Sequence, residues 1–163
     1  MPALAVNHVS VSAADIDESA RFYRELFAME PIPTPNFGFP VQWLRVGPNQ
    51  LHLFMRPDAA PAYHHVAFTV DDFDDVYQRA ARRGAFDRTT FGHHLYELPG
   101  DVAQLYLRDP AGNLVEVDAP DAGRLAESTR GDMRALADML PQSAENLRGT
   151  LFHDAARQLL ATR

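Results

Sequence analysis

The chain has 163 residues, 46% of them hydrophobic, which suits one soluble domain with a sizeable core, and it holds no apolar run long enough to span a bilayer. A formal charge of -7 argues against nucleic acid or an anionic membrane surface as partner, because either would want a positive field. With no cysteine, disulfides, thiolate nucleophiles and zinc-thiolate sites are excluded, so any metal must be held by nitrogen and oxygen.

Met1 to Val6 reaches the first strand without a basic leader or an adequate apolar stretch, so no secretory signal is expected and the location is read as cytoplasmic. From His8, Val9 and Val11 alternate with His8, Ser10 and Ser12, the period-two pattern of a strand with one apolar face. Ile16, Ala20, Tyr23 and Phe27 then form a helical stripe, led by Asp15 with Glu18 three residues on. Glu30 to Pro40, with four prolines and with Gly38 between Phe37 and Phe39, reads as a loop whose aromatics either line a cavity mouth or pin the loop to the core. Strands follow at Val41 to Val46 and Gln50 to Met55, parted by the turn Gly47-Pro48-Asn49.

The order then repeats. His65, Ala67 and Thr69 alternate with Val66, Phe68 and Val70, and a helical stripe of Phe73, Val76, Tyr77 and Ala80 follows Asp71 and Asp72. Strands are predicted at about Leu95 to Leu98, Ala103 to Arg108 and Leu114 to Asp118, the last two separated by Asp109-Pro110-Ala111-Gly112-Asn113. The opening histidines stand 57 apart (8 to 65) and the closing positions 64 apart (52 to 116), so the second copy is seven residues longer, around Phe91 to Asp101. Internal duplication of a supersecondary unit is first a statement about fold: two βαβββ units, α+β in class. Each helix can cover the apolar face of its own sheet, which leaves the histidine-bearing faces pointing the other way. By the same parity Glu116 shares a face with Leu114 and Asp118, where an unpaired carboxylate over a cavity would be costly without a cation or proton.

The His-Val openings, the segment Ser19-Ala20-Arg21-Phe22-Tyr23-Arg24-Glu25-Leu26-Phe27 and the run from Tyr106 through Asp109-Pro110-Ala111-Gly112-Asn113 to Glu116 resemble the vicinal oxygen chelate superfamily. Glyoxalase I, extradiol dioxygenases, fosfomycin-resistance thiol transferases and bleomycin-resistance proteins belong to it. The resemblance covers about residues 4 to 120 and implies paired βαβββ modules, module one at 4–57 and module two at 62–120, with 121–163 as an extension. It also implies a divalent metal at His8, His65 and Glu116, with His52 at the position that supplies a fourth ligand in the glyoxalase branch. Two imidazoles and one carboxylate suit Fe(II), Mn, Ni, Co or Zn alike, so the donors do not name the metal. A lone histidine on a strand is most often structural, and it is the duplication that raises these above that base.

Tyr106 and His94 resemble the tyrosine and histidine of the extradiol dioxygenases and are the catalytic candidates, although ten residues separate His94 from Leu105, a longer gap than that pattern allows. Tyrosine before Asp-Pro is more often a core residue than a catalytic one, and His93 and His94 in an inserted loop are more often solvated than functional. No lysine is present, which weakens a phosphonate-binding reading, though Arg45, Arg56 and Arg108 remain available. Serines lack a nucleophile-elbow context.

The resemblance implies an enzyme for a small, vicinally oxygenated substrate. Histidine at 52 removes the natural base of the isomerase route, which favours dioxygenase-like or lyase-like chemistry. A glyoxalase-like isomerase is the alternative, and a metal-free ligand-sequestering protein of the bleomycin-resistance kind is the rival from another class. Beyond the repeat, Asp132 to Leu140 and Ser143 to Ala161 read as helices, the second with Leu147, Leu151, Ala155 and Leu159 on one stripe. Such a tail needs a surface to cover, either the outside of its own sheet or a partner subunit in a homodimer.

Overall fold

The computed structural model describes residues 6–56, 60–149 and 151–152. Among these described residues nine strands and four α-helices follow in the order β1 (His8–Ala13), α1 (Ile16–Phe27), β2 (Pro31–Ile32), β3 (Val41–Val46), β4 (Asn49–Met55), β5 (His65–Thr69), α2 (Phe73–Arg83), β6 (Leu95–Leu98), β7 (Val102–Arg108), β8 (Leu114–Pro120), α3 (Glu127–Arg130), β9 (Arg134–Ala135) and α4 (Leu136–Met139). The first sheet runs β1-β4-β3-β2 and the second β5-β8-β7-β6-β9. Each therefore orders its strands as first, last, third, second, and the duplication read from the histidines is visible in the topology.

The fold class is α+β, with paired βαβββ modules as expected. Both helices start where the sequence provides a cap. The Asp15 carboxylate accepts from the Glu18 amide at 2.8 Å, and Asp72 accepts from the Asp75 amide at 2.9 Å, each satisfying a donor that the first helical turn leaves open. Helix α2 buries Phe73, Val76, Tyr77 and Ala80 as its stripe predicts. Helix α1 buries Ser19, Phe22, Tyr23 and Leu26, so its covered face is centred on the i, i+3, i+4, i+7 set beginning at Ser19, flanked by the expected Ile16, Ala20 and Phe27.

Three expectations change. The proline-rich stretch after α1 is not all loop: Pro31 and Ile32 form a short strand antiparallel to Leu44 and Trp43, tolerated because this is the sheet edge, where proline's missing donor is not needed. Asp132 to Leu140 is not one helix either, because Arg134 and Ala135 pair parallel with Tyr96 and Glu97 of β6 before the single turn of α4. An open edge on β6 outcompetes the helical propensity of a segment too short to fold alone. Ser143 to Ala161 carries a 3-10 turn at Asn146–Arg148, and most of the remainder of that expected helix lies outside the described residues.

The chain falls into two compact units, Met1–Val66 with Arg108–Val115, and Ala67–Leu107 with Glu116–Arg163. The turn at Asp109 thus belongs to the first unit. Buried Asp109 accepts from the Tyr23 hydroxyl at 3.0 Å, the Asn113 amide at 2.8 Å and the Asn113 side chain at 2.7 Å, while the Asn113 Nδ2 also donates to the Ser12 carbonyl at 2.6 Å. Burial lifts the Asp109 carboxyl above its ordinary range despite these donors. Burial, and next the charge of Asp109, raises the Tyr23 hydroxyl as well. In the second unit the extension is fastened by side chains: Asp74 accepts from the Ala126 amide at 3.0 Å and the Thr129 hydroxyl at 2.5 Å, and Asp101 accepts from the Gly123 amide at 2.8 Å.

Candidate functional site

In the first unit, register decides which side chains share the face away from α1. Parallel pairing sets His8 beside Gln50 and Ser10 beside His52, and antiparallel pairing sets Trp43 opposite His52 and Arg45 opposite Gln50. Partners so paired project to one side of a sheet, so His8, Gln50, His52, Phe54 and Trp43 form a single surface. Leu44, Leu51 and Leu53, one step out of phase, are fully buried on the other side.

Three rings on that surface stack in sequence. Trp43 lies on His52 with centroids 4.3 Å apart and planes 7° apart, and His52 lies on His8 at 4.2 Å and 15°. His52 is 5% exposed and its Nε2 is 2.8 Å from Gln50 Oε1, so that nitrogen donates. Burial, and then the charge of His8, lowers the His52 imidazole below its ordinary value. Beside the stack, Phe37 packs on Trp43 and Phe54, Phe39 packs on Phe54, and the Arg56 guanidinium sits 4.7 Å above the Phe39 ring. Phe37 and Phe39 remain 44% and 37% exposed, so the loop aromatics neither enter the core nor point fully away from it. They make an apolar shelf that continues the surface of the stack.

The two opening histidines are held alike. His8 Nδ1 lies 3.0 Å from Asn7 Oδ1, and His65 Nδ1 lies 2.9 Å from the Tyr63 carbonyl oxygen. An oxygen partner requires a proton on Nδ1, which in the neutral ring leaves the lone pair on Nε2, the form in which imidazole binds a cation.

In the second unit Glu116 is 4% exposed on β8 and accepts from the Gln104 side-chain Nε2 at 2.8 Å. The buried Tyr106 hydroxyl donates to the same carboxylate, and burial, followed by that charge, pushes its ionisation far above the usual range. Asp118 is buried two residues along the same strand face, with its Oδ1 lacking a hydrogen-bond partner. Burial and then the Glu116 charge raise Asp118 to about 8. Two adjacent buried acids with an orphaned oxygen are a donor set that suits a cation.

His94 has a different neighbourhood. It is 1% exposed rather than solvated, with its ring stacked on Phe86 at 4.2 Å, its Nε2 3.6 Å from the Asp132 carboxylate and Arg88 3.4 Å from its Nδ1. His93 also contacts the extension, through the Asp132 carbonyl at 2.6 Å. Of the residues singled out from the sequence, the structure stacks His8 on His52, ties Tyr106 to Glu116 and sets His94 against the extension. Among the described residues no three His, Asp or Glu side chains are gathered as a ready cage for an ion. Trp43, Gln50, Asn7 and Gln104 carry the site's supporting contacts without standing out in the sequence. Trp43 was recoverable, since the Gly47-Pro48 turn fixes its pairing with His52.

Residues 5–117 match the model of the glyoxalase, bleomycin resistance protein and dioxygenase superfamily. The chain belongs to this superfamily. It is similar to the metallothiol transferase FosB of Shouchella clausii, 29% identical over 142 residues that span 83% of this chain and 91% of that one. It is also similar to glyoxylase I 4 of Arabidopsis thaliana, 27% identical over 124 residues, 69% of each chain. Among solved structures, the lactoylglutathione lyase of Agrobacterium tumefaciens shares 26% identity at a TM-score of 0.57, covering 77% of this chain and all of that one. The superfamily thus contains relatives of more than one chemistry at similar distance from this chain.

Proposed function

We propose that the chain is a metal-dependent enzyme in which His8, His65 and Glu116 hold one divalent ion and a small substrate chelates that ion through two neighbouring oxygens. The observation that carries the reading is the matched support of the two histidines: in both repeats Nδ1 is committed to an oxygen and Nε2 keeps the lone pair. Glu116 adds the negative charge, and its crowding with Asp118 is relieved by a cation. When bound, the ion supplies a Lewis acid that polarises the substrate oxygens.

The chain's own groups do the rest. Gln104 and the Tyr106 hydroxyl donate to Glu116 and so fix the direction in which its oxygens point. The Phe37, Trp43 and Phe54 shelf offers a flat apolar bed next to His8, and Arg56 brings a positive charge to its rim. A flat, ring-bearing, anionic substrate such as a catechol matches that bed, which favours dioxygenase-like or lyase-like use of the site. The histidine at 52 gives the site no carboxylate base of the kind an isomerase uses.

The likeness to a metallothiol transferase supports thiol addition to an oxygenated substrate as the second reading, with Arg45, on the same face as Trp43, as its anion-binding group. The test loads chelator-treated protein anaerobically with Fe(II) and adds catechols. A new absorption band, followed by oxygen consumption on exposure to air, is expected. Hemithioacetal isomerisation with Ni or Zn, or thiol addition with Mn, in the absence of that band would assign the site to the other branches.

A further inference from the structure

His52 stands where the resemblance places a fourth ligand, yet its surroundings differ from those of His8 and His65. Its Nε2 is occupied by Gln50 at 2.8 Å, and its ring is clasped on both sides, by Trp43 at 4.3 Å and His8 at 4.2 Å. An imidazole binds a cation in the plane of its ring, at about 2.0 to 2.1 Å from nitrogen. Because the His8 and His52 rings are stacked 4.2 Å apart with planes only 15° apart, their in-plane lone pairs run side by side and do not converge on one point. With Nε2 protonated toward Gln50 the lone pair is on Nδ1, and to turn it toward an ion shared with His8 the His52 ring would have to leave both stacks.

We propose, on the basis of the metal reading above, that His52 is a positioning residue and not a ligand. As the middle ring of the Trp43, His52 and His8 stack, it fixes the rotation of the His8 ring, and the coordination position it would have filled stays open to substrate. Sheet register makes the device rigid. Trp43 and His52 are directly opposed on antiparallel strands, Gln50 sits two residues before His52 on the same face, and His8 is the neighbour of Gln50 on β1.

Two substitutions separate stacking from ligation. His52→Phe keeps a flat ring and removes both nitrogens, whereas His52→Gln keeps donor atoms at similar reach and removes the ring. Chelator-treated full-length protein is titrated with Co(II), followed by the visible absorption of the bound ion and by the fluorescence of Trp43, the single tryptophan of the chain. His52→Phe is expected to bind Co(II) within about threefold of the parent with an unchanged visible band, and His52→Gln to bind at least about tenfold more weakly. Trp43→Leu, which touches no metal, is expected to weaken Co(II) binding as well, and this keeps the test open if a substitution at 52 fails to fold. A His52→Phe protein with a shifted band and tenfold weaker binding, beside a His52→Gln protein that binds normally, would overturn the assignment. Normal Co(II) binding by His8→Ala would instead overturn the metal reading on which it rests.

Discussion

His8 and His65 are ordinary strand histidines until their outer nitrogens are considered. Asn7 does for the first what the Tyr63 carbonyl does for the second, and groups that orient a ligating imidazole are typically worth ten- to a hundredfold in metal affinity. Asn7→Ala is therefore expected to weaken divalent-ion binding at least about tenfold while leaving the melting temperature of the metal-free protein unchanged, measurable by calorimetric titration and a thermal melt. His65 is the internal control, because its support comes from backbone and no side-chain change at position 63 should have the same effect. The sequence parity that singled out these histidines carried no information about Asn7 or Gln104. Their roles depend on side-chain rotamers and cross-strand register, which the alternation of apolar and polar residues leaves open.

At the scale of elements, the repeats act as each other's reference. Helix α1 ends at Ala28 in the left-handed region, φ 50°, and α2 ends at Gly84 with φ 64°. A side chain with a Cβ is strained there and glycine is not. Ala28→Gly is expected to stabilise the protein by about 0.5 to 1 kcal/mol and Gly84→Ala to destabilise it by about as much, read from the denaturant midpoint. The caps Asp15 and Asp72, the apolar stripe of α2 and most strands were legible because each depends on residues close in sequence, whereas the buried face of α1 is centred on Ser19, Phe22 and Leu26 beside the expected stripe. The short strand β2 and the pairing of β9 with β6 were not, since Pro31 and Arg134 owe their conformation to a distant strand edge that local pattern does not record.

At the scale of the whole chain, the extension from Ala122 to Asp132 is a fastened part of the second unit. Its Asp132 accepts from the Tyr77 hydroxyl at 2.5 Å and faces His94, while Ala122 and Thr129 are buried. Truncation after Ala119 uncovers the β6 edge and leaves Asp74, Tyr77 and His94 without these partners, so a lower melting temperature and aggregation are expected, seen by thermal melt and light scattering. The same docking makes stability depend on acidity. Burial, and then the charges of His93 and Arg88, hold His94 down to about 4, so the unfolded chain, with its imidazole near 6.5, takes up a proton that the folded chain refuses. That stability is complete above about pH 6.5 and is lost as pH falls toward 4, on the order of 2 kcal/mol, and His94→Gln should flatten the dependence in chemical denaturation between those limits.

The proposed ion is held by two histidines and a glutamate drawn from the duplicated strands. Elemental analysis of protein purified without chelator, for the parent and for His8→Ala, His65→Ala and Glu116→Gln, tests this most directly. The expected result is about one divalent ion per chain in the parent and a marked loss in each variant, with each metal-free variant as folded by circular dichroism as the metal-free parent. A parent with no stoichiometric metal after exposure to Fe(II), Mn, Ni, Co and Zn, or variants that retain it in full, would contradict the assignment.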